Sequence, residues 1–249
     1  MQVSKVVFAA EISIIILLLF LIFNVYATWV GAVLTIIVGI VIYARIRLTM
    51  VVPLSSSPFL IQKHTTKIEF KDSMGKLVQV TKDQVIKPCK GKATEFIDRN
   101  LSGTGRVDNF KSFRYLNQEG KWKECKINSI RTEGGSFAIS TLYDQTLTED
   151  TWTRRKFEFD FIDCFLEEEE SFIYRVDNPT ESFDITFVFN PNRKPEQIIV
   201  YKVIGGYKKQ SYIITPKSVI QPTIFEWSIR NPLLAFEYLF IWTWRKSFQ

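Results

Sequence analysis

Arg154-Arg155-Lys156-Phe157-Glu158-Phe159-Asp160-Phe161 alternates charged and aromatic residues with a period of two. Successive side chains of a pleated strand point to opposite faces, so this pattern is that of a β-strand with one face covered. Phe157, Phe159 and Phe161 mark the covered face, Lys156, Glu158 and Asp160 the open one, and the strand is expected to run on to Phe165.

The same period recurs on either side. Ser182 to Phe189 repeats it with Phe183, Ile185, Phe187 and Phe189, and Phe236, Tyr238, Phe240, Trp242 and Trp244 share one face near the end of the chain. Upstream, Lys67-Ile68-Glu69-Phe70-Lys71 and Leu77-Val78-Gln79-Val80 flank the turn Asp72-Ser73-Met74-Gly75, which is a hairpin signature. Further turns are marked by Ser102-Gly103-Thr104-Gly105, Glu133-Gly134-Gly135, Asn178-Pro179 and Asn190-Pro191. Roughly ten to twelve strands at this spacing predict an antiparallel β-sandwich or β-barrel. Leu166 to Phe172, with the acidic run Glu167 to Glu170, is the best candidate for a short helix or a solvated turn.

The first quarter of the chain reads differently. Val6 to Ala44 is apolar and broken by one charge, Glu11. At ~1.5 Å rise per residue such a tract could cross a ~30 Å hydrocarbon core about twice. The expectation is a transmembrane hairpin over 1–48, turning near Asn24 to Ala27, then a linker over 49–65 and a β-rich domain over 66–249. Lys5, Arg45 and Arg47 flank the tract while its turn is uncharged, so both ends are expected on the cytoplasmic side of the membrane. A carboxylate inside a bilayer must face protein or water, and Gly31 and Gly39 give the second helix a small-residue side. Glu11, Gly31 and Gly39 are therefore candidates for assembly of the hairpin into oligomers.

Composition excludes several chemistries. The one histidine, His64, falls in the expected linker, which leaves no second imidazole for a zinc site and no metal ligands that stand out. HExxH and the P-loop are absent, and Gly103-Thr104-Gly105 reads as a hairpin turn. Cys89, Cys125 and Cys164 are far apart and odd in number, which implies buried thiols without a disulfide framework. With no catalytic constellation, a non-enzymatic role is expected, and no cofactor is implied. The net charge of +6 is too mild for bulk nucleic-acid binding and permits an anionic small ligand. Arg99, Arg106, Lys111 and Arg114 cluster around a Gly-rich turn, Arg131 precedes another, and Trp152 sits beside Arg154. Guanidinium forks suit phosphates and an indole can stack on a base, so Arg106, Arg131, Trp152 and Arg154 are the candidate ligand contacts.

Taken together, two apolar N-terminal segments, a short turn and a β-rich remainder resemble the two-transmembrane β-strand-rich effectors of bacterial anti-phage systems, those of cyclic-oligonucleotide signalling (CBASS) above all. The resemblance implies a membrane-anchored all-β protein whose cytoplasmic domain senses a cyclic nucleotide or a defence-system partner. Sensing would drive homo-oligomerisation, and the hairpins would disrupt the lipid bilayer of the bacterial inner membrane. It transfers no functional residue. The alternative is a membrane-anchored scaffold that recruits cytoplasmic partners.

Overall fold

The computed structural model describes residues 38–39, 58–102, 106–133, 136–204 and 207–244, without the side chains of 99–102, 106–109, 131–133, 136–137 and 204. The chain divides into two units, 1–51 and 52–249. Of the first, only Val38 and Gly39 are described, and both are helical.

Fourteen strands make up the described part of the second unit: β1 (Phe59–Phe70), β2 (Leu77–Pro88), β3 (Lys92–Ser102), β4 (Arg106–Leu116), β5 (Trp122–Glu124), β6 (Lys126–Glu133), β7 (Ser136–Thr148), β8 (Thr153–Ile162), β9 (Glu169–Arg175), β10 (Thr180–Val188), β11 (Ile198–Ile204), β12 (Tyr207–Ile214), β13 (Ile224–Arg230) and β14 (Glu237–Thr243). They form a seven-stranded sheet in the order β13-β10-β1-β2-β8-β4-β5, a four-stranded sheet β12-β11-β14-β9 and a three-stranded sheet β3-β7-β6. Every strand pairing among the described residues is antiparallel except β1 with β10.

The arrangement is sandwich-like, with the seven-stranded sheet covered on its inner face by the two smaller ones. Twelve-residue strands such as β1 and β2 extend ~40 Å, longer than one small sheet covers. Two apolar clusters result. The larger joins Ile68, Val80, Phe159 and Phe187 to Phe172, Val200, Phe240 and Trp242 of the four-stranded sheet. The smaller joins Phe59, Ile61, Ile86 and Tyr115 to Phe96, Tyr143 and Leu147 of the three-stranded sheet.

The alternations read from sequence hold. Phe157, Phe159, Phe161, Phe183, Phe187 and Phe240 are all buried. The hairpin at Asp72 forms as expected, its carboxylate accepting from the N–H groups of Met74, Lys76 and Leu77. Gly75 sits there at φ 75°, and a Cβ on it would collide with the Phe165 carbonyl.

Three expectations are corrected. The fold class is all-β: no helix among the described residues is long and apolar enough to cross a membrane, so the two-helix hairpin is not shown. That hairpin was expected over 1–48, of which only Val38 and Gly39 are among the described residues. The multi-pass inner-membrane placement rested on that hairpin and is not sustained. Glu11 and Gly31 lie outside the described residues. At Gly39 an added Cβ would meet nothing within 4 Å among the described residues. Second, Glu169 to Arg175 is strand β9, not a short helix. The acidic run makes only a turn before it, where Glu167 N–H donates to the Glu170 carboxylate at 2.6 Å. Third, β1 begins at Phe59, so residues 59–65, His64 among them, are strand where a linker was expected.

Candidate functional site

Strand register lines up a polar seam across the inner face of the seven-stranded sheet. One row runs Phe183, His64, Gln84, Arg155, Tyr115 across β10, β1, β2, β8 and β4. The next runs Ile185, Thr66, Lys82, Phe157, Phe113. On either side the rows are apolar again, with Ile68, Val80 and Phe159 below and Ile61 and Ile86 above. The seam lies between the two apolar clusters, where the covering sheets give way to each other.

A cavity of about 50 Å³ opens there. Its walls come from all three sheets: His64, Lys82 and Gln84 from the long sheet, Phe96 and Asp98 from β3, and Tyr174 from β9, with Asn178 closing one side. Ile97 and Arg175, both exposed, belong to its outer lining. Small-molecule pockets usually measure about 300–1,000 Å³, so this one admits an end group of a few heavy atoms rather than a whole nucleotide.

Each polar group has a definite state. His64 Nδ1 lies 3.2 Å from the Tyr174 hydroxyl and Nε2 lies 3.1 Å from Thr66 Oγ1. Burial, with help from the charges of Lys82 and Arg155, holds its pKa well below the ordinary histidine value, so the ring is neutral at pH 7. A neutral imidazole has one donor and one acceptor, so the two hydroxyls serve it in opposite senses. Tyr174 is fixed in turn by stacking on Phe183 with ring centroids 3.6 Å apart.

Arg155 is 1% exposed, and its guanidinium carbon stands 4.0 Å from the Phe96 ring centroid and 4.8 Å from that of Phe157. Its Nη2 donates to Asp98 Oδ2 at 2.5 Å, which ties the seven-stranded sheet to the three-stranded one. Asp98 is thereby neutralised. Lys82 is different. It is 8% exposed, and its Nζ lies 5.4 Å from the Phe157 centroid. Burial lowers its pKa to about 8; Asp98 and Asp177 act the other way and Arg155 adds to the fall. At pH 7 the cavity therefore holds a buried ammonium in the field of two wall carboxylates, of which Asp98 is already held by Arg155. Gln84 Oε1 and Asn178 Oδ1 are buried and have no hydrogen-bond partner among the described residues, and such groups are costly unless something satisfies them.

The residues singled out from sequence lie elsewhere. Arg106 and Arg131 begin β4 and fall within β6, and their side chains are outside the described set. Trp152 and Arg154 stand on the opposite, outward face of the seven-stranded sheet. There Arg154 makes a two-pronged ion pair with Asp83 at 2.9 and 2.6 Å, and Lys87 Nζ lies 5.0 Å from the Trp152 ring centroid. Lys111 pairs with buried Asp160 at 2.8 Å. The three cysteines form no disulfide among the described residues, and only Cys164 is fully buried, its Sγ 3.4 Å from the Ile162 carbonyl. Missed from sequence were His64, Thr66, Lys82, Gln84 and Asp98. The signal was present in Val78-x-Val80-x-Lys82-x-Gln84-x-Ile86, where two polar residues occupy the apolar parity of a strand.

A second concavity lies on the outward face of the four-stranded sheet, in two lobes of about 530 and 330 Å³. Its floor is apolar, with Ile199 beside Ile241 and Tyr201 beside Leu239 and Ile173.

No family model matches the sequence, and no curated protein matches it. Among solved structures, the M1 zinc metallopeptidase from Deinococcus radiodurans is similar over 74% of this chain and 42% of its own, at 6% identity and a TM-score of 0.44. A protein described as a protease, from Parabacteroides distasonis, is similar over 75% of this chain and 40% of its own, at 9% identity and a TM-score of 0.43. The protein thus spans less than half the length of either, and likeness at this level carries no inference about activity.

Proposed function

We propose that the β-domain is a non-catalytic recognition module that senses a small anionic group in the seam cavity. Lys82 carries the reading: a buried ammonium in the wall of a small cavity, where Asp98, the stronger of the two carboxylates acting on it, is already engaged by Arg155. Gln84 and Asn178 add partners for a ligand that also brings N–H or O–H donors, and either amide can turn to donate instead. The volume favours a phosphate or carboxylate end group over a complete base and sugar. A cyclic nucleotide, as in the defence-effector reading, has only bridging phosphodiesters and would present two phosphate oxygens at the mouth of the cavity rather than enter it.

The test is thermal shift and calorimetry on the full chain with inorganic phosphate, acetate, a nucleoside monophosphate and a cyclic dinucleotide. The proposal expects at least one of them to stabilise the protein. Lys82→Met should weaken that binding by tenfold or more, since a charge-assisted contact contributes ~1.5–3 kcal/mol. Affinity should also fall as pH rises through about 8, where the ammonium is lost. The phosphate and acetate arms separate the two anion chemistries. No shift with any probe, or equal binding by Lys82→Met, overturns the reading. The scaffold reading would then be preferred, and the apolar outward rows of the four-stranded sheet are the feature that favours it.

A further inference from the structure

The outward face of the seven-stranded sheet carries a second kind of chemistry. Trp122 on β5 is 41% exposed and Trp152, just before β8, is 36% exposed. Large indoles left open on a sheet are unusual where they have no partner to cover them. Here both are already engaged by cations. The guanidinium carbons of Arg114 and Arg154 lie 5.6 and 5.9 Å from the Trp122 centroid, and Lys87 covers Trp152 at 5.0 Å.

Register shows that these groups share one face. Lys63, Val85 and Arg154 form a row across β1, β2 and β8, and Leu116 and Trp122, one residue beyond the Arg155–Tyr115 pair of β8 and β4, continue its line onto β4 and β5. Asp83, Lys156, Arg114 and Glu124 form the next. Trp152 precedes Arg154 by two residues, on the same side of the strand. Strands ~4.8 Å apart with ~3.3 Å rise place the two tryptophan backbones about 12 Å apart. In the rows around the two indoles the cations Lys63, Lys87, Arg114, Arg154 and Lys156 outnumber the carboxylates Asp83, Glu124 and Glu158, the last of which pairs with Lys156 at 2.9 Å; Glu69, Asp160, Asp184 and Glu226 lie farther along the face. The whole-chain charge is mild, but the excess here is local. Arg154 is held in place by Asp83 through Nε and Nη2, which uses only part of its five-donor fork.

We infer that this face is a platform for single-stranded nucleic acid, with bases stacked on Trp122 and Trp152 and phosphates taken by the cations between and around them. Part-exposed indoles, whose covering Lys and Arg side chains can swing aside onto phosphates, are what an unpaired strand needs, because every base offers a π-face and every linkage a charge. An acidic peptide would use the cations and leave the indoles idle. A duplex keeps its bases stacked on each other, out of reach of the indoles.

The experiment is fluorescence anisotropy of the full chain with a labelled oligothymidylate of about 20 nucleotides at low and moderate salt. Binding should weaken with salt. Trp122→Ala and Trp152→Ala should each weaken it about tenfold. Arg154→Gln should reduce the salt slope by about one unit or slightly less. Lys208→Gln, on the four-stranded sheet, should leave the affinity unchanged. Melting curves confirm that each exposed-site variant is folded. Absence of binding at low salt overturns the inference. So does binding that ignores both tryptophan substitutions, binding that Lys208→Gln weakens as much as Arg154→Gln does, or equal affinity for a duplex or a polyglutamate.

Discussion

Arg154 and Arg155 are neighbours in the sequence, yet they stand on opposite faces of one strand and each holds an aspartate. The Arg154–Asp83 pair is in contact with water, with side chains 53% and 23% exposed. The Arg155–Asp98 pair is sealed between two sheets, with side chains 2% and 5% exposed. The outer pair gains little from its attraction, since water screens it and two long side chains lose freedom to make it. The inner pair was costly to bury, and having been buried it cannot lose one member without leaving a bare charge in a low-dielectric core. Similar chemistry thus tunes a surface on one side of β8 and fastens two sheets on the other.

The largest expected effect is on the inner pair. Asp98→Ala should destabilise the fold by about 3–5 kcal/mol, read from urea unfolding midpoints, because Arg155 Nη1 already lacks a partner. A loss near 1 kcal/mol would break the comparison and imply that water reaches the seam.

Lys82→Met tests the same seam with the opposite sign. The folded chain holds the Lys82 proton only up to about pH 8, while an unfolded lysine holds it to about 10.5. Across that window the unfolded state carries more protons, so wild-type stability rises with pH. Below pH 8 the folded chain bears the full cost of the buried charge. Removing it should stabilise the protein by about 3 kcal/mol at pH 7, and the gain should shrink as pH approaches 10.5. Denaturation of both proteins at pH 7 and pH 10 checks this. A variant that gains stability while losing anion binding shows a site retained at the expense of the fold.

The smallest effect belongs to the outer pair. Asp83→Asn should change stability by no more than about 0.5 kcal/mol, and added salt should diminish even that. A change as large as that of Asp98→Ala would mean that the two faces do not differ as their exposure suggests.

The strands were legible because their aromatic residues keep strict parity, as in Phe157-x-Phe159-x-Phe161 and Tyr238-x-Phe240-x-Trp242. Division into three sheets was not legible. It depends on pairings such as β1 with β10, whose partners lie far apart in the chain and share no local signal. The acidic run at Glu167 misled because charge density suggests solvation, whereas β9 starts within it at Glu169 and buries Glu170. His64 was misplaced because Pro53, Pro58 and three consecutive serines argued for a linker that stops short of β1. Trp152 and Arg154 were read as a recognition pair from sequence proximity, and the structure places them on one outward face, away from the cavity.

The parallel pairing of β1 with β10 also sets when the cavity comes into being. His64 lies beside Phe183, and the chain between them contributes most of the other strands. Closing so long a loop costs entropy that no local contact returns early, and such topologies fold slowly. Hairpins such as β1–β2 and β11–β12 can zip from their turns long before β10 arrives. The wall that holds Tyr174 against His64 is stacked on Phe183, so it is set only when that last pairing closes. A partly folded or nascent chain would carry Lys82 on an open hairpin, hydrated and with an ordinary amine. Recognition at the seam is in this sense a property of the finished molecule, and its appearance during refolding would mark the slowest step.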